Sequence, residues 1–95
     1  MTFEQFIASL TDTFPPADLS NELLALWHDG HGDWDQAHKV AQDIDSSSGA
    51  SIHAYLHRKE GDLGNADYWY RRAGRRAAGD SLDDEWKRLV SEMLR

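Results

Sequence analysis

The sequence predicts an all-α domain: a stack of helical hairpins with about six helices and no sheet. Three observations predict it. Apolar residues recur at steps of three and four along most of the chain, and no stretch sustains the two-residue alternation of a strand. Two pairs, Gly32-Asp33 and Gly61-Asp62, each separate two such stretches, so that a glycine closes one helix and an aspartate caps the next. Finally, a shift of 29 residues places Ala25 on Ala54, His28 on His57, Gly32 on Gly61, Asp33 on Asp62 and Ala37 on Ala66, an internal repeat.

Phe3, Phe6, Ile7, Leu10 and Phe14 share one stripe, which predicts a first helix over 3–13 with a Thr2/Gln5 capping box. Pro15 and Pro16 stop it, because proline lacks the helical donor and disfavours helix in the residue before it. Residues 1–16 are thus expected to form a lid. The second helix, 19–30, carries Leu19, Leu23, Leu24, Leu26 and Trp27 on a face broad enough to pack on two sides. Asp33 and Gln36 suggest a second capping box opening the third helix, 34–45, with Trp34, Ala37, Val40, Ala41 and Ile44 inward.

Ser46 to Gly49 read as a polar joint before a fourth helix, 50–60, that turns Ile52, Tyr55 and Leu56 to the core. Asp62 caps the fifth, 63–77, with Leu63, Ala66, Trp69, Tyr70, Ala73 and Ala77 inward. Ser81 caps the last, 82–94, whose Asp83, Asp84 and Glu85 favour the positive helix end. Its Leu82, Trp86, Leu89, Val90 and Met93 are expected to cover the end of the stack, so that residues 81–95 act as a capping helix.

At 95 residues, with 40% hydrophobic side chains, the chain supports one domain with one modest core. The excess of 17 acidic over 10 basic residues gives a formal charge of −7, which repels phosphate backbones and anionic lipid and so argues against nucleic-acid partners. No apolar run reaches the roughly 20 residues of a membrane span, the start of the chain does not read as a targeting signal, and cysteine is absent. A soluble cytoplasmic protein is expected.

The hairpin pattern resembles the tetratricopeptide repeat, whose helix pairs are joined by a Gly-Asp-aromatic turn with a small residue five positions after the glycine. GDWDQA at 32–37 and GDLGNA at 61–66 match that turn, and Ala66, Tyr70 and Ala73 match the second-helix spacing. The resemblance covers residues 19–77, with a period shorter than the roughly 34 residues of that family. It implies two stacked helix pairs and a protein-interaction role. The run HAYLHRKEGDLGNADYWYRRAG is also similar to one carried by a family of small bacterial proteins.

Two constellations remain as candidate sites. His53, His57 and Glu60 fall on one helix face, and two imidazoles with a carboxylate suit zinc or a similar divalent ion; His28, their counterpart in the first hairpin, is the natural addition. The simpler reading has the histidines bordering the core and hydrogen-bonded to carboxylates or carbonyls. Arg71, Arg72, Arg75 and Arg76 form the second group, suited to an anion or acidic partner, beside an exposed Tyr68; neutralisation by Asp83, Asp84 and Glu85 is its structural counterpart.

No catalytic residue and no organic cofactor are implied, since neither a phosphate loop nor a serine nucleophile motif is present. The leading expectation is a small protein-interaction or scaffold module, with a protein partner or a second copy of the chain in a homodimer. The alternative is a metal- or anion-binding protein, with a small hydrolase as one form of it, centred on the His53/His57/Glu60 face.

Overall fold

A computed structural model describes residues 1–95. It contains six helices and no strand: α1 (Phe3–Ser9), α2 (Asn21–Gly30), α3 (Trp34–Gln42), α4 (Ser47–Lys59), α5 (Leu63–Arg72) and α6 (Leu82–Met93). The turns between α2 and α3 and between α4 and α5 are three residues long, which folds each pair back on itself. These pairs make the most extensive contacts, α3 packs on α4 to join them, and α6 closes against α2 and α4. The expected all-α helical stack is therefore what the chain forms.

The repeat is visible in the backbone of the turns. Gly32 and Gly61 have φ of 93° and 89°, a region that L side chains rarely adopt. This conformation lets Asp33 N–H reach the His28 carbonyl at 2.8 Å and Asp62 N–H reach His57 at 2.9 Å, closing both helix ends in the same way. Each aspartate then caps the following helix, Asp33 accepting from Gln36 N–H and Asp62 from Asn65 N–H. Of the two capping boxes suggested by the sequence, Thr2/Gln5 closes in both directions and Asp33/Gln36 in one.

Most of the core is one cluster built on Phe6, Leu26, Trp27, Ile52, Leu56 and Leu89, with Trp86 laid over the end of α2. Burying each large aliphatic or aromatic side chain stabilises by roughly 1.5–3 kcal/mol. Ala54, Ala66 and Tyr70 form a second cluster between α4 and α5, where small residues let the helices approach.

Several boundaries differ from the periodic reading. The first helix ends at Ser9 rather than near residue 13, since the Ser9 and Thr11 hydroxyls turn back onto the carbonyls of Phe6 and Ala8. Phe14 consequently leaves the stripe and is 78% exposed. The third helix stops at Gln42, short of Ile44. The fifth stops at Arg72, where Gly74 at φ 71° closes it through Arg75 N–H to the Tyr70 carbonyl. Ala77 thus lies beyond that helix and Leu63 is exposed at its start.

The serine run is not a joint. Ser46 caps α4 by accepting from Gly49 N–H, and Ser47, Ser48 and Gly49 are already helical. Gly49 is there for space: a Cβ at this position would stand 2.6 Å from the Ile44 side chain and carbonyl. Glycine to alanine inside a helix ordinarily stabilises by about 1 kcal/mol. At Gly49 the clash reverses the sign, and Gly49→Ala is expected to destabilise by roughly 1–3 kcal/mol, read from the urea midpoint.

Two buried carboxylates tie the stack together. Asp29 on α2 accepts from the Tyr55 hydroxyl at 2.6 Å and from Lys59 Nζ at 2.9 Å, both on α4. Glu85 on α6 accepts from the Tyr70 hydroxyl of α5 at 2.6 Å and from Arg58 Nη1 of α4 at 2.8 Å. Burial first, and the carboxylate second, push both phenols above the usual range, so each stays a donor.

Candidate metal centre

A cluster of three histidines lies where the two hairpins meet. His53 and His57 stand one turn apart on α4, as the four-residue spacing requires, with their rings stacked at 4.8 Å. From α3, His38 approaches both, at ring-centre distances of 4.7 Å to His53 and 5.2 Å to His57. One ring nitrogen from each of the three lies within 4.8 Å of the others. The Nε2 atoms of His38 and His53 are 3.0 Å apart. Two imidazole nitrogens on a tetrahedral zinc, each about 2.0–2.1 Å from it, stand about 3.3 Å apart, so this pair is already near ligand spacing.

The surroundings fix the rings. Glu60 Oε2 accepts a hydrogen bond from His57 Nδ1–H at 2.6 Å, which leaves Nε2 as the ring nitrogen of His57 available to a metal. A carboxylate behind a histidine in this way orients the ring and raises its basicity as a ligand. Trp34 stacks on His38 at 5.0 Å and Trp69 on His53 at 3.9 Å, so an indole backs each of these imidazoles. Trp34 is itself held by its Nε1–H to the Leu56 carbonyl at 2.9 Å.

His53 and His57 are only 5% and 7% exposed, whereas His38 is half-buried and Glu60 exposed, so the centre reaches the surface on one side. Burial lowers the pKa of His53 to about 4, aided by His38 and His57. His38 is also lowered, chiefly by burial and then by His57, with Glu60 and Asp35 opposing. Both rings are therefore neutral at pH 7, the state a metal requires.

A stability consequence follows for the metal-free protein. Because the folded pKa of His53 lies below its unfolded value of 6.5, the unfolded chain binds more protons between about pH 6.5 and 4. Stability is thus full above pH 6.5 and falls as the pH drops through that window, at a slope of up to about 1.4 kcal/mol per pH unit. Urea midpoints measured across this range, compared with those of His53→Phe, check the expectation.

The structure thus brings His53, His57 and Glu60 together, with Glu60 behind a histidine rather than beside the other ring nitrogens. His28 is not part of this group. Its ring packs edge-on against Trp27 at 5.4 Å, in the first hairpin. The adjoining turn is taken up by capping and by His31, which stacks on Trp27 at 4.5 Å and donates from Nδ1 to the Leu10 carbonyl at 2.9 Å. The third imidazole is instead His38, which sequence reasoning missed. The available signal was its place four residues after Trp34, at the edge of the inward stripe, mirroring the four-residue step of His53 and His57.

The arginines do not converge. Arg75 pairs with Glu92 through both guanidinium nitrogens, at 3.3 and 2.8 Å, and Arg76 is exposed beyond the end of α5. On the helix, Arg72 donates to the Tyr68 hydroxyl at 3.2 Å and lies over the Trp69 ring at 5.1 Å, while Arg71 is exposed. Tyr68 is 51% exposed, and with Gly64, Asp67, Arg71 and Arg72 it lines a shallow cleft. Of the expected neutralising acids, Asp83 pairs with Lys87 and Glu85 with Arg58.

No helix is long and apolar enough to cross a membrane. Comparison of the chain with protein-family models, curated proteins and solved structures finds no match.

Proposed function

We propose that the protein binds a divalent transition metal, zinc or a close relative, through His38, His53 and His57, with Glu60 orienting His57. The observation that carries this reading is the meeting of three imidazoles from two different hairpins, with ring nitrogens all within 4.8 Å of one another and those of His38 and His53 at near-ligand spacing. An all-nitrogen set favours zinc, copper, nickel or cobalt over calcium and magnesium, which take oxygen ligands. The metal would join α3 to α4, and so one hairpin to the other. Protein purified without a histidine tag, loaded with zinc and dialysed, is expected to retain one equivalent. His38→Ala and His53→Ala should lose it and His28→Ala should keep it; retention by His38→Ala refutes the assignment.

A second reading, a protein-interaction module, draws on the tetratricopeptide-like turns and on the exposed Tyr68 beside Arg71 and Arg72, residue types common at binding hot spots. The partner would be another protein or a second copy of the chain. Size exclusion over a concentration series, together with capture experiments using the wild type and Tyr68→Ala, tests it. A monomer recovering the same proteins with either bait counts against that surface. In both readings the excess of acidic residues disfavours nucleic acid, and the lack of cysteine suits a reducing cytoplasm.

A further inference from the structure

We infer that the metal at the three-histidine centre keeps one coordination position for a small exogenous anion, a step that rests on the metal-binding reading above. Structural zinc sites are closed by four protein ligands, whereas sites that exchange or act on a ligand hold the ion with three and leave the fourth position to water or a guest. Here no fourth histidine, aspartate or glutamate brings a ligand atom within 4.8 Å of all three imidazole nitrogens, and cysteine is absent. Glu60 and Asp62 group with His57 alone, and Glu60 is engaged at its Nδ1.

Charge points the same way. Imidazole ligands carry no negative charge of their own, so a dication bound by three of them stays net positive toward the fourth position, more so than one bound directly by thiolates or carboxylates, with the Glu60 carboxylate one ring removed behind His57. The half-buried His38 and exposed Glu60 place the centre against solvent on one side. Trp34 and Trp69 back the imidazoles of His38 and His53, so the stacked indoles supply no competing acceptor. The ligand class is a small oxygen- or nitrogen-donor anion, such as a carboxylate, bicarbonate or azide, in exchange with water.

Cobalt(II) with azide as the probe tests this on the full chain. Cobalt is expected to bind at one equivalent with the intense visible absorption of four-coordinate sites, and azide should shift that absorption saturably while the protein stays monomeric by size exclusion. Cobalt binding with a spectrum indifferent to azide overturns the open position and leaves the metal reading intact. So does a cobalt-dependent dimer, in which a second copy supplies the fourth ligand. No cobalt binding overturns both.

Discussion

Glu85→Ala is expected to lower stability by about 3–5 kcal/mol, a large loss for a single substitution. Glu85 is 2% exposed and accepts from two donors that arrive on different helices, Arg58 of α4 and Tyr70 of α5. Its removal leaves the guanidinium without its closest countercharge and a buried hydroxyl without an acceptor, and the penalty is the desolvation of both. Arg58 keeps the Asp80 carbonyl and a distant Asp80 carboxylate at 4.0 Å, which moderates the loss without cancelling it. Glu85→Gln, which retains the volume and one accepting oxygen, should cost clearly less. Pairing Glu85→Leu with Arg58→Met should recover part of the loss, because no uncompensated charge remains. Urea midpoints at constant slope give all three values, and a Glu85→Ala protein within about 1 kcal/mol of wild type contradicts the network.

The second large effect is a gain. Zinc at a hundredfold excess over its dissociation constant should stabilise the fold by about 2.7 kcal/mol, provided the unfolded chain does not bind it. For a domain of this size that corresponds to a rise of roughly 10–20 °C in melting temperature. His38→Ala should abolish the rise, since it removes the only proposed ligand from the first hairpin. His28→Ala should leave it unchanged, because that ring sits against Trp27 in another part of the molecule. An equal zinc response from wild type and His38→Ala would place the ion elsewhere.

Much of the fold was legible because its determinants are local. Helix count, both Gly-Asp turns, the caps at Thr2, Asp33, Asp62 and Ser81, and the exposed Tyr68 follow from residues within a few positions of one another. Boundaries failed where a side chain competed with the helix or packing overrode propensity, as at Ser9, Thr11 and Gly49. The site was half legible. The step from His53 to His57 and the neighbouring Glu60 lie on one helix, whereas His38 joins them only through the packing of α3 on α4.

The repeat itself conceals the third imidazole. Equivalence in the turn frame made His28 the counterpart of His57, but the two hairpins stack with α3, not the end of α2, facing the His53 side of α4. Glu85 was hidden for a different reason. Its position among three acids at the start of α6 suggested a solvated helix end, although it lies three residues after Leu82 and four before Leu89, on their stripe.

Metal binding at the three histidines is tested most directly by a long-range proton–nitrogen NMR spectrum of the five histidine side chains during zinc titration. His38, His53 and His57 are each expected to lose their free ring-nitrogen signature and take on that of a metal-bound nitrogen at one equivalent, while His28 and His31 stay where they were. Zinc shifts confined to His28 or His31, or absent from His38, would contradict it.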